Sequence, residues 1–168
     1  MDEHRVGLKP IIRRVWSLPG QRPTAIVHHR YQWLYVYGFA HPPSGQSFWL
    51  LLPTVSITAF TIALHQFANF MQAGTQTEIR LLVDRAGWHT SPKVQLPTGI
   101  RLWFLPAYSP ELQPAEHLWS LVDKPIINRH FDTLEQLQEV LADRCVWLQD
   151  HPDLIRSTTN FHWWPQFA

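Results

Sequence analysis

Three carboxylates stand where a chain could hold oxygen atoms at fixed points: Asp2, Asp84 and Glu116. Asp84 follows the apolar run "RLLV" directly, and polar residues at the carboxyl ends of strands in an α/β sheet face a ligand crevice. Glu116 lies in "FLPAYSPELQPAEHLW" (104–119), whose three prolines keep helix or strand from running through its middle. An apolar run leads in, and an amphipathic pattern leads out through Ala115, Leu118, Trp119 and Val122. That order predicts a helix with Pro114 at its first position and Glu116 in its first turn. Asp2 begins a possible first strand. Each also has a plainer use: a strand-terminal Asp making a local turn, a Glu favoured by the helix dipole, an exposed terminal residue. Converging at one sheet edge, the three would form a hard-oxygen site suited to magnesium or manganese. Two such ions are the usual device for in-line displacement at phosphorus.

The elements that would position them read as follows. "DEHRVGLKP" is a possible short strand, followed by a long Pro- and Arg-rich loop. "QWLYVYGFAH" (32–41) and "QSFWLLLP" (46–53) read as two strands of a hairpin around "PPSG". Ser56 caps a helix whose apolar residues recur at Ile57, Phe60, Leu64, Phe67 and Met71. Its other face, Thr58, Thr61, His65, Gln66 and Asn69, has no charge and is expected to be partly buried or packed on a partner. "IRLLV" and "IRLWFLP" (100–106) are two more strands, and helices follow at 114–123 and from Asp132 or Thr133. Glu135 and Gln136 are placed for a capping box there. This last helix buries Leu134, Leu137, Leu141, Cys145 and Leu148. The aromatic tail "FHWWPQF" is expected to dock on the body. Strands first and alternation afterwards argue for a mixed sheet with helices on its faces, in a single domain spanning 1–168.

Charge distribution says more than the net charge of +1. Between Glu3 and Glu78 there is no Asp or Glu, while Arg5, Lys9, Arg13, Arg14, Arg22 and Arg30 crowd the first thirty residues. This suggests a basic surface that tracks a phosphate backbone, the alternative being a solvated basic loop. The acidic segment from Asp132 to Asp153 would face away from nucleic acid. The single cysteine, Cys145, excludes an internal disulfide and a Cys-based zinc cluster. Zinc hydrolase chemistry is disfavoured too, since "HH" at 28–29 is adjacent and no HxxxH pair accompanies it. No transmembrane run and no signal peptide are found, which predicts a reduced, cytoplasmic protein.

"LLVDRAGWHTS", a strand, and then "LPAYSPELQPAEHLW" resemble the catalytic core of bacterial insertion-sequence transposases related to mariner. "MDEHRVGLKP" resembles the segment carrying that family's first catalytic Asp. The resemblance covers essentially the whole chain, and "YSPELQPAEHLW" is its most specific part. It implies an RNase H-like fold and an Asp, Asp, Glu metal triad, which falls on Asp2, Asp84 and Glu116. It further implies metal-dependent cleavage of transposon ends and strand transfer into target DNA, with Mg2+ or Mn2+ as two ions. His89 matches the family's His as a supporting residue that orients a ligand or contacts phosphate. Glu111 matches an acidic position outside the triad. Gln113 and Arg85 stand where the family usually has Asn, and the interval from Asp84 to Glu116 is a little shorter than usual.

With Asp2 so early, the first strand is expected to be truncated at its N-terminus, and no helix-turn-helix region is expected. The expected protein is the catalytic half of a transposase, nucleoid-associated. Arg5, Lys9, Arg13 and Arg14 would grip DNA, and the chain would self-associate or pair with a helix-turn-helix segment. The alternative is a non-catalytic product that binds DNA or dimerises as a regulator, or an inactive remnant.

Overall fold

The computed structural model describes residues 1–27 and 30–162. The His28–His29 pair and residues 163–168 of the aromatic tail lie outside the described residues.

Alternation of side chains decides how the first sheet is used. Strand β1 (Asp2–Gly7) pairs antiparallel with β2 (Trp33–His41), which pairs antiparallel with β3 (Gln46–Leu52). One face carries Val6, Leu34, Val36 and Trp49 into a core shared with Leu118, Leu121, Val122, Leu137, Leu141 and Ile155. The other carries Met1, Tyr37 and Phe39 against Ala59, Phe60, Ala63, Leu64 and Phe67. The sheet is therefore covered on both sides, and that is why the hairpin strands read as almost continuously apolar. Asp2 and Glu3, adjacent in β1, are sent to opposite faces.

Helix α1 (Ile57–Phe70) begins as its sequence predicts, with the Ser56 hydroxyl accepting from Ala59 N–H at 3.0 Å. Its uncharged polar face does not bury as expected. Thr58, His65, Gln66 and Asn69 are exposed, and Thr61 alone of the five is half-buried, its hydroxyl taking Gln95 N–H at 3.4 Å.

Strands β4 (Ile79–Val83) and β5 (Ile100–Phe104) pair in parallel, in register from Ile79↔Ile100 to Val83↔Phe104. Leu81, Val83 and Ile100 pack into the core on the α1 side. Among the described residues the strands form two sheets, antiparallel β1–β2–β3 and parallel β4–β5. They meet where the Met1 nitrogen donates to Leu82 O at 2.8 Å.

The predicted helix over 114–123 is tighter at its start than expected. Pro114–Leu118 is a 3-10 turn that becomes α-helical only over α2 (Trp119–Val122). Gln113 at its cap makes no capping bond: its amide nitrogen donates to Met1 O, and its Oε1 accepts from no backbone N–H of the turn. A second 3-10 turn, Pro110–Leu112, precedes it.

Helix α3 (Leu134–Gln149) is capped by Thr133, whose hydroxyl accepts from Gln136 N–H at 3.3 Å, while Gln136 Oε1 reaches back to Asp132 N–H at 3.1 Å. Leu137, Leu141, Cys145 and Leu148 are buried, and Leu134 is half-buried. A further helix, α4 (Pro152–Thr159), was not anticipated: it starts on a proline and carries a single fully buried aliphatic side chain, Ile155. At the start of the tail, Phe161 makes an edge contact with His117 at 4.7 Å between centroids.

Candidate active site

Asp84 closes β4 and does two things with one oxygen. Its Oδ1 accepts Ala86 N–H at 2.9 Å, the local turn expected of a strand-terminal Asp, and lies 2.6 Å from His89 Nδ1. The side chain stays 56% exposed, so Oδ2 is left to solvent. His89 by contrast is buried, its ring packed 4.4 Å from Phe60. Its second nitrogen, Nε2, lies 2.9 Å from Glu3 Oε1, and the Glu3 side chain is only 5% exposed.

Burial works against a charge on His89. The hydrogen bond to Glu3 and the charges of Glu3 and Asp84 outweigh it and raise the imidazole above its ordinary value. A doubly protonated ring donates to both carboxylates, one on each nitrogen. The Trp88 indole N–H, 3.0 Å from the same Nε2, can donate there only when that nitrogen is unprotonated. The two short carboxylate contacts favour the charged ring. Glu3, His89 and Asp84 thus form a chain from the first strand to the end of the fourth.

Asp2 faces the opposite way, toward α2. Its Oδ2 accepts the Trp119 indole N–H at 2.8 Å. Burial raises the Asp2 carboxyl above its ordinary value, against the lowering effect of the Trp119 bond. Just before it, Met1 O accepts from Gln113 Nε2 at 2.5 Å.

Glu116 is exposed on the 3-10 turn between Gln113 and Trp119. Partial desolvation raises its carboxyl, and so do the negative charges of Asp2 and Asp84, with His117 opposing. Carboxylates near enough for Asp2 and Asp84 to act on Glu116 are the donor chemistry a hard divalent cation satisfies. Among the described residues no three His, Cys, Asp or Glu side chains are drawn close enough to hold an ion by themselves. The donor set suits such an ion in kind and neighbourhood, and closure of the three around one is not part of this conformation.

Of the basic residues singled out, Arg5 lies on β1 with its guanidinium 4.6 Å from the Trp33 ring centroid. Lys9, Arg13 and Arg14 are exposed on the loop that leaves β1. That loop is tied at its base by Leu8 N–H to Gln32 O at 3.2 Å, Asn128 N–H to Ile11 O at 2.9 Å and Arg13 N–H to Asn128 Oδ1 at 2.8 Å. Sequence reasoning missed Glu3, Gln113 and Trp119 as parts of the site. The alternation of β1 carried a signal for Glu3: a second acid beside Asp2 must face the other core, where a buried acid needs a partner.

Residues 1–138 match the family described as DDE superfamily endonuclease. An uncharacterised protein of Sinorhizobium fredii, y4pE/y4sA, is 34% identical over 135 residues, covering 78% of this chain and 96% of that protein. Among solved structures, the Mos1 mariner paired-end complex with Mn superposes with a TM-score of 0.62 at 19% identity, over 95% of this chain and 52% of that one. A Mos1 transposase paired-end complex with left transposon end gives 0.58 at 17% identity, over 95% of this chain and 55% of that one. The chain thus spans about half the length of those transposase chains. At these identities the likeness speaks to the fold, which is RNase H-like. The match over residues 1–138 speaks to descent: the chain belongs to the DDE superfamily endonucleases.

Proposed function

We propose that this chain is the catalytic domain of a transposase, residues 1–168 acting as one unit, which cuts transposon ends and joins them to target DNA. The observation that carries the reading is the pair of hydrogen bonds, Gln113 Nε2 to Met1 O and Trp119 Nε1 to Asp2 Oδ2, that hold the turn bearing Glu116 against the start of β1 and its Asp2. In this reading the three hold Mg2+ or Mn2+, two ions in all. When bound, such ions activate an attacking oxygen and stabilise a leaving one at phosphorus. The chain's own residues do the rest. His89 turns the Asp84 carboxylate, with Glu3 bracing the ring from behind. Arg5, Lys9, Arg13 and Arg14 neutralise phosphates and hold the backbone in register. The partners are transposon-end and target DNA, and a second copy or a helix-turn-helix segment that reads the ends. The setting is a bacterial insertion sequence, and the place of action the cytoplasm, at the nucleoid. No helix among the described residues is long and apolar enough to cross a membrane.

Calorimetric titration with Mn2+ tests the reading on the chain and on Asp84→Ala and Glu116→Ala, alongside nicking of end-bearing plasmid. Binding by the wild type that both variants lose, with nicking that follows it, supports the metal site. A chain that binds no Mn2+ at millimolar concentration is not a working nuclease. One observation favours a second reading in that event: no preformed three-residue metal cluster exists among the described residues. A regulator that binds DNA through its basic loop, or that dimerises, would then be the better account.

A further inference from the structure

The segment that carries Glu116 touches the start of β1 on both sides of that residue. Three positions before it, Gln113 Nε2 donates to Met1 O at 2.5 Å. Three positions after it, Trp119 Nε1 donates to Asp2 Oδ2 at 2.8 Å. The indole is itself held. It stacks on His4 at 4.9 Å and 15°, and the Trp49 ring meets it edge-on at 6.4 Å and 66°. His4 is fixed in turn, Nε2 lying 2.9 Å from the buried Asp123 Oδ1 just past the end of α2.

Room for the indole is made by one glycine. Gly38 faces Asp2 across the β1–β2 ladder and Trp49 across β2–β3. A Cβ at Gly38 would lie 2.9 Å from Trp119 Cη2 and 3.0 Å from Trp49 Cζ3, closer than packed carbons tolerate. An aspartate on a strand rotates about two side-chain torsions, and a donor fixed on one oxygen sets the plane of the carboxylate.

We infer that Trp119, seated over Gly38, is a positioning residue that sets the Asp2 carboxylate relative to Glu116. One short helical segment then delivers one carboxylate of the site and orients another. The inference rests on reading Asp2 as a metal ligand.

The test uses the full chain with Mn2+ as probe, in wild type, Trp119→Phe and Gly38→Ala. Trp119→Phe keeps an aromatic ring for the stack and removes only the donor. Thermal unfolding is expected to shift little, while the Mn2+ Kd weakens about tenfold, the usual effect of losing a partner behind a ligand. Gly38→Ala, which leaves every donor and ligand in place, is expected to weaken it in the same direction. A spectroscopic readout stands apart from metal: the indole N–H resonance lost in Trp119→Phe must move in Asp2→Asn. An unmoved resonance, or a Kd within twofold of wild type in both variants, overturns the inference. If the wild type binds no Mn2+ while the resonance still follows Asp2→Asn, the ligand reading has failed. The positioning role falls with it, and only the contact survives.

Discussion

His89 joins Asp84 to Glu3: its Nδ1 is 2.6 Å from one carboxylate and its Nε2 2.9 Å from the other, with the ring and Glu3 both shielded from water. Removing one partner of a buried charged pair leaves the other uncompensated, at a cost of about 3 kcal/mol. Glu3→Ala is therefore expected to lower the urea midpoint clearly. Glu3→Gln, which keeps a hydrogen-bonding oxygen, should lose about half as much. Equal midpoints for wild type and Glu3→Ala would mean that the pair does not hold the two sheets together.

The turn between β2 and β3 is pinned against α4 through Gly45. Its φ is +74°, and a Cβ there would collide with the Pro152 carbonyl oxygen. Neither the left-handed conformation nor the clash with backbone is relieved by a rotamer change. Gly45→Ala is expected to cost about 3 kcal/mol, read by thermal unfolding. A variant as stable as wild type would show that α4 can slide away from the turn.

Much of the fold is legible in the sequence because its elements obey local rules. Ser56 and Thr133 cap helices as hydroxyl residues should, and the hairpin strands follow their apolar runs to within a residue or two. Pairing was harder to read. Nothing local in "DEHRVG" says that β1 lies against β2, more than twenty-five residues away, or that the two sheets meet at Met1 and Leu82. The site follows the same division. Asp84, His89 and Glu116 sit in a recognisable run, and the structure ties the first two together directly. Glu3 and Trp119 escaped because their roles depend on which face of β1 meets which helix, a property of the assembled core. Helix α4 escaped because it is only eight residues long and starts on a proline: its apolar face spans barely two turns, anchored by Ile155 and Thr159, too short a stretch to read as a helix.

Cys145 offers a pH-dependent check on the core of α3. Burial pushes its thiol up to about 12, with Arg144 pulling weakly the other way. A group whose folded value lies above its unfolded value stabilises fully below the unfolded one, here 9.0, and loses that contribution as pH rises toward 12. Stability should therefore fall above pH 9.0 more steeply in wild type than in Cys145→Ala, by up to about 1.4 kcal/mol per pH unit. At pH 8 the thiol should react with an aromatic disulfide only as fast as the chain opens. Rapid labelling of the folded protein would show that α3 does not seal its inner face.

Arg13 and Arg14 test whether the loop leaving β1 meets a phosphate backbone. Both side chains are exposed, and the hydrogen bond at Arg13 is made by its backbone N–H to Asn128, which alanine retains. Stability should consequently not change in the double variant Arg13→Ala/Arg14→Ala. Each phosphate contact contributes about 0.9 to the slope of log K against log salt concentration on duplex DNA. Loss of two contacts should flatten that slope by roughly 1.8 and weaken binding most at low salt. Arg80 and Arg101 provide the control, since both are already paired with Glu78, at 3.7 Å and 2.7 Å. If Arg80→Ala/Arg101→Ala flattens the slope as much, DNA is attracted by charge at large and the loop is not its seat. If only the loop variant does, the carboxylate-free first half of the chain is the face that meets nucleic acid.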